Sequence, residues 1–239
     1  MSNTQIEADQ APTIKDEAIT QFPSPVLQEE ISRYSNEEKI HKIRNHIQAI
    51  MEILGLDLRN PSLQKTPDRV ASMYVNEIFS GLDPEAFPDM TLFDDEDLFS
   101  VGNHIIVTQS SLTSFCEHHL VPMVGTAYIG YLPHSYIIGL SKISRLVRYF
   151  ACRPQIQERL SAQIGDSLAT ILGHEDVIVY IQATHMCVLA RGAKDEQAET
   201  TTLYTSGVFE GFSEHRKEFL EIIQTMGTQN DKKFSSFFE

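Results

Sequence analysis

The hydrophobic positions of this chain change period along its length, and the changes mark its elements. Ile40, Ile43, Ile47, Ile50, Met51 and Leu54 recur at helical spacing up to Gly55, and Ser35-Asn36-Glu37-Glu38 before them reads as a capping box. A second start signal is Thr66-Pro67-Asp68-Arg69, with Thr66 at the cap and Pro67 at the first helical position; Val70, Met73, Tyr74 and Ile78 carry the stripe to Gly81. From Gly102 the pattern is that of strands. His104–Thr108, Val124–Leu132, Val177–Leu189 and Thr200–Phe209 are rich in β-branched and aromatic residues, and they predict four strands. Between the second and third, Ile143, Leu146, Val147 and Phe150 form one helical face, and Ile156, Leu160, Ile164, Leu168 and Ile171 form a longer one that stops at Gly173. Phe219, Ile222 and Ile223 predict a C-terminal helix. The order ββααββ predicts an α+β fold, an antiparallel four-stranded sheet covered by helices on one face and preceded by N-terminal helices.

Segments without a period divide the chain. Residues 1–34 mix Glu, Asp, Gln, Thr and prolines and read as a mobile leader. Residues 35–100 form an N-terminal helical region, whose last part, from Asp83-Pro84 to Asp94-Asp95-Glu96-Asp97, is a turn-rich acidic connector. Residues 101–239 form the sheet-and-helix domain with its C-terminal helix. The 239 residues suffice for a sizeable core.

Charge narrows the partners. Nineteen basic against 33 acidic residues give a formal charge of −14, which argues against non-specific binding of nucleic acid and requires any anion to be caught by a local basic cluster. No apolar run approaches the roughly 20 residues of a membrane span, and the N-terminus lacks the basic start and apolar stretch of a secretory signal. A cytoplasmic protein is the expectation. Three cysteines, an odd and sparse set, agree with a reducing compartment.

Two of those cysteines stand in short segments that also concentrate histidine: Cys116-Glu117-His118-His119 and His185-Met186-Cys187. Thiolate and imidazole together suit zinc, and three protein ligands with a fourth position left to water is the arrangement of a catalytic rather than a structural site. Cys116 and either His118 or His119 can come from one turn, and Cys187 is the best third ligand. On a strand, the two-residue period would put His185 and Cys187 on one face. Cys152, alone in its segment, reads as a structural thiol.

A second constellation is Gly139-Leu140-Ser141-Lys142-Ile143-Ser144-Arg145, where a strand runs into a helix. Ser141 can cap, free N–H groups and the helix dipole favour negative charge, and Lys142 and Arg145 lie three apart on one side, so this is a candidate anion site. Arg191, just past the strand with Cys187, and Arg69 can add to it. Gln157-Glu158 starts the next helix, and a carboxylate there can accept two N–H donors from a guanine edge.

Taken together these residues resemble the GTP cyclohydrolase I family over nearly everything from Asn60 to Phe209. The motifs are Thr66-Pro67-Asp68-Arg69, Glu77-Ile78-Phe79-Ser80-Gly81, Cys116-Glu117-His118-His119, Ile138-Gly139-Leu140-Ser141-Lys142-Ile143, Arg153-Pro154-Gln155, Gln157-Glu158-Arg159-Leu160 and His185-Met186-Cys187 with Arg191-Gly192. The resemblance implies the tunnelling fold, a homodecamer of two stacked pentameric rings, a Zn2+ cofactor, and hydrolysis of GTP to 7,8-dihydroneopterin triphosphate and formate. It implies Cys116, His119 and Cys187 as zinc ligands and His118 and His185 as acid–base residues. It further implies Glu158 and Gln157 at the guanine edge, Lys142, Arg145, Arg191 and Arg69 on the triphosphate, and Ser141 acting near the ribose or phosphate. The chain departs from the family at Thr126, Ser72 and Leu189, where relatives carry basic residues.

Overall fold

A sheet whose central strands are buried on both faces organises the computed structural model, which describes residues 33–94 and 104–235. In chain order the elements are helices α1 (Asn36–Ile53) and α2 (Thr66–Met73), strands β1 (Leu92–Asp94), β2 (Ile106–Cys116), β3 (Pro122–Tyr131) and β4 (Tyr136–Ile138), helix α3 (Leu140–Ala151), strand β5 (Pro154–Gln155), helix α4 (Gln157–Leu172), strand β6 (Val177–His185), the short helix α5 (Met186–Leu189), strand β7 (Thr200–Thr205) and helix α6 (Glu214–Ser235). The leader and the acidic stretch Asp95-Glu96-Asp97 lie outside the described residues, apart from the last residues of the leader.

The capping box forms as expected: Ser35 Oγ accepts from the Glu38 N–H at 3.3 Å, and Glu38 accepts from the Ser35 N–H at 2.8 Å. The second helix starts at Thr66 itself, with Lys65 at the cap, and passes after Met73 into a π-helical turn, Tyr74–Ile78. α2 packs against α1.

The main sheet runs β5-β2-β3-β6-β7, so it has five strands rather than four. The three long pairings, β2–β3, β3–β6 and β6–β7, are antiparallel as expected, and the two-residue β5 adds to β2 in parallel. β1 and β4 form a separate antiparallel pair. β2 is longer than its β-branched run because its second half, Ser110 to Cys116, alternates small buried residues with exposed ones. Those buried hydroxyls let α3 lie close: Ser114 Oγ donates to Ala151 O at 2.7 Å.

One sheet face carries Leu112, Ala127, Ile129, Val179 and Ile181, packed with Ile143, Leu146 and Phe150 of α3 and Leu160, Ile164 and Leu168 of α4. Each such side chain contributes about 1.5–3 kcal/mol by leaving water. The other face is not bare, contrary to the one-sided expectation. Tyr128 and Ile178 meet Phe209 and, from α6, Phe219 and Ile223. A Cβ at Gly130 would lie 2.7 Å from the Phe219 ring, so glycine is what lets α6 sit there. No described helix is long and apolar enough to cross a membrane.

Candidate metal and proton-transfer site

β2 delivers Cys116 to the end of the sheet, where the chain reverses. The His119 and Leu120 N–H groups both donate to Cys116 O, at 3.3 and 2.8 Å, and Leu120 adopts a positive φ of 50°. This tight turn brings both histidines back over the thiol: Cys116 Sγ lies 3.8 Å from Nδ1 of His118 and 3.8 Å from Nδ1 of His119. β6 ends at the same place, with His185 opposite Met123 of β3.

The strand stops at His185, so Cys187 does not share a strand face with it. A single helical turn follows, closed by Ala190 N–H donating to Met186 O at 2.9 Å, and this carries Cys187 to the thiol of Cys116. Ligand atoms of Cys116, His119 and Cys187 all lie within 4.8 Å of one another. Zinc bonds of about 2.3 Å to sulfur and about 2.0 Å to nitrogen would set a sulfur–nitrogen separation of about 3.6 Å in a tetrahedron, close to what the turn provides. Burial first, then the neighbouring Cys116, pushes the Cys187 thiol up, while Arg191 acts the other way. Two adjacent thiols resist ionising together, and a divalent cation between them removes that resistance. The donor set therefore fits a metal.

Beside these ligands, His185 is held by Gln157. The Gln157 amide nitrogen donates to Ile181 O at 3.0 Å and Thr200 O at 2.9 Å. Those two carbonyls set the amide's orientation, which leaves Gln157 Oε1 to face His185 Nε2 at 2.8 Å. An acceptor there requires the proton on Nε2, so Nδ1 is the nitrogen of neutral His185 free for proton exchange. Burial holds the His185 pKa down, with Glu158 pulling it up. Gln157 is 1% exposed and its amide is occupied by the protein, whereas Glu158 next to it is exposed. The expected pairing of Gln157 with Glu158 on a ligand edge thus separates into one buried and one exposed residue.

Glu117 was not singled out by sequence reasoning, although it sits inside the Cys-Glu-His-His motif. Its carboxylate pairs with Arg159 and lies 3.7 Å from His118 Nε2. Gln155 ties this pair to β5, accepting from Arg159 Nε at 3.3 Å and, through its backbone oxygen, from Glu117 N–H at 2.9 Å.

The basic cluster at the start of α3 lies elsewhere in the chain. α3 begins at Leu140 with Gly139 at its cap and no side-chain cap bond, so Ser141 is an exposed residue of the first turn rather than the cap. Lys142 is half-buried and Arg145 exposed. It is the other end of α3, at Ala151, that touches Ser114 near the thiols, and the intervening ten residues span about 15 Å. Arg191 is near Cys187, and Arg69 is exposed on α2. Two clefts of about 460 and 400 Å³ flank Arg148 and Cys152; Arg145 lines the smaller, and neither is lined by the thiol–imidazole group.

Comparison with known proteins follows the same residues. The sequence model of the family described as GTP cyclohydrolase I matches residues 43–224. A protein of Aeromonas salmonicida named GTP cyclohydrolase 1 is 51% identical over 186 residues, which is 78% of this chain and 84% of that protein. One from Aeromonas hydrophila with the same name is 52% identical over 184 residues, 77% of this chain and 84% of the relative. One from Vibrio cholerae is 50% identical over 183 residues, 77% and 83% of the two chains.

Proposed function

The chain belongs to the GTP cyclohydrolase I family, and on that premise we propose that it hydrolyses GTP to 7,8-dihydroneopterin triphosphate and formate with zinc held by Cys116, His119 and Cys187. The observation that carries the reading is the convergence of those three ligand atoms within 4.8 Å, beside a histidine whose tautomer is set by Gln157. Zinc supplies a Lewis acid that lowers the pKa of water toward neutrality. Cys116 and Cys187 serve as thiolates and His119 as a neutral imidazole. His185, kept neutral by burial and with Nε2–H donated to Gln157, takes up and returns a proton at Nδ1. His118, more exposed and beside the Glu117 carboxylate, is the second proton carrier. We assign the guanine edge to Glu158, whose carboxylate is free to accept N–H donors, and assign to Gln157 the positioning of His185. Lys142, Arg145, Arg191 and Arg69 bind the triphosphate, and Ser141 acts near the ribose or phosphate.

The reading places each pocket between chains. What supports this is that α3 touches Ser114, near the thiols, with its Ala151 end, while Ser141, Lys142 and Arg145 stand at its start, about 15 Å along the helix axis; we therefore assign the two groups of one chain to different pockets. The sheet has the edges such an assembly uses: among the described residues β7 is unpaired on one side, and β5 covers only Phe115 and Cys116 of β2. A closed ring of five chains, stacked in pairs as a decamer, pairs those edges.

Incubating the purified protein with GTP tests the reaction. Formate and a pterin that fluoresces after oxidation should appear in equal amounts, disappear when a chelator strips the metal, and return with Zn2+. GTP binding without formate release from the zinc-loaded protein would overturn the reading.

A further inference from the structure

A second cluster of metal-ligating side chains occupies the opposite end of the sheet. His134 comes from the loop between β3 and β4; His174 and Asp176 come from the loop between α4 and β6. One ligand atom from each lies within 4.8 Å of the other two, the same closeness as in the thiol group, and among the described residues these two groups alone meet it. β6 separates them, its Val177 end from its His185 end, by about 26 Å.

The carboxylate is held rigidly. Asp176 Oδ1 accepts from Val208 N–H at 2.9 Å, and Asp176 O accepts from Leu132 N–H at 3.1 Å. Gly207 presses on it from a positive φ of 55°, where a Cβ would come within 2.2 Å of Oδ1. Oδ2 is thereby turned to His134 Nε2, at 2.6 Å. The His174 ring sits 4.2 Å from that of His134, centroid to centroid, and its Nε2 is buried without a partner. A buried ring nitrogen that bonds nothing calls for a missing partner. The His134 side chain is 51% exposed, which leaves access from solvent and room for water.

We propose that His134, His174 and Asp176 form a second site for a divalent transition metal of borderline hardness, such as Zn2+ or Co2+, with water completing its coordination. Two imidazoles and a carboxylate without sulfur suit such ions better than soft thiophilic ones, and better than Mg2+ or Ca2+, which take oxygen. The ion binds His134 Nε2, His174 Nε2 and Asp176 Oδ2. It replaces the His134–Asp176 hydrogen bond, and each neutral imidazole switches tautomer, its single proton moving from Nε2 to Nδ1. For His174 this gives up the 3.2 Å bond from Asp176 N–H, the longest of those that fix Asp176, and the other two remain. The metal ties the β3–β4 loop to the starts of β6 and the turn after β7, and that loop leads through β4 into the helix start bearing Ser141, Lys142 and Arg145. The site does not depend on GTP turnover.

Cobalt titration of the chelator-stripped, full-length protein tests it, because thiolate ligands give a charge-transfer absorption that nitrogen and oxygen ligands lack. The wild type should take up two equivalents per chain, only one of them with the thiolate band. His134→Ala and His174→Ala should each lose the second equivalent and keep the thiolate band, whereas Cys187→Ser should lose the band and keep the second equivalent. Saturation of the wild type at one equivalent, or two equivalents in His134→Ala, would overturn the site. If His174→Ala fails to fold, His134→Ala decides, since it changes an exposed side chain and its thiolate band reports the fold.

Discussion

The two ends of the five-stranded sheet are built on different principles. At one end, β2 and β6 finish on Cys116 and His185, and key residues there are held in place: Gln157 is clamped by two carbonyls, and Cys116 is 5% exposed. At the other end, the helix start with Ser141, Lys142 and Arg145 offers charge on exposed or half-buried side chains with no cap to fix them. The first end has the rigidity that proton transfer and metal binding require; the second has the adaptable charge that suits a polyanion. Under the proposed function, metal chemistry and anion binding belong to these two different regions of one chain, and neighbouring copies supply both to one pocket.

Substitutions at the two ends should therefore differ in kind. The largest effect is expected from Cys187→Ser, which removes one of three ligands: the thiolate-bound metal and turnover should both vanish, as read by metal analysis and formate release. His185→Ala should keep that metal and lose about 10²–10⁴ in kcat. Retained turnover in the first, or metal loss in the second, would break the division of roles. Gln157→Ala should lower kcat by less, shift the pH profile as the His185 tautomer is released, and destabilise the fold by about 1–3 kcal/mol in denaturant titration, because the Ile181 and Thr200 carbonyls lose their donor. An unchanged pH profile would make Gln157 merely structural. At the other end, Lys142→Ala should raise KM about tenfold with little change in kcat, the pattern of lost ground-state binding.

How legible these ends were in the sequence follows from the range of the interactions. The capping box at Ser35 and the faces of α3 and α4 are local patterns and were legible. The two-residue β5 is too short to carry a period, and β2 beyond Thr108 was hidden because serines at 110 and 114 fill buried positions that hydrophobic residues usually mark. Val188 and Leu189 continued the apolar run of β6, but the strand ends at His185, where its ladder with β3 also ends, at Met123. The convergence of Cys116 and Cys187 with a histidine of the same turn was legible from residue type and spacing, whereas the choice of His119 over His118 came only from the family resemblance. The placement of Gln157 was not, because its partners are backbone carbonyls of β6 and β7, about 25 and 45 residues away, and carbonyls leave no mark in a sequence. The cluster of His134 with His174 and Asp176 was equally silent, since 42 residues separate His134 from Asp176.

If one pocket is made from the thiol end of one chain and the basic end of another, co-expression of two inactive variants will reveal it. Cys187→Ser chains should assemble with Lys142→Glu/Arg145→Glu chains into particles that regain part of the turnover, since some pockets then combine an intact thiol end with an intact basic end. Cys187→Ser with Glu158→Ala should regain none, because Glu158 is close enough to His185 of its own chain to oppose the effect of burial on that histidine, so both variants spoil the same thiol end. Absence of turnover from the first mixture, in particles shown to contain both chains, would contradict the shared pocket.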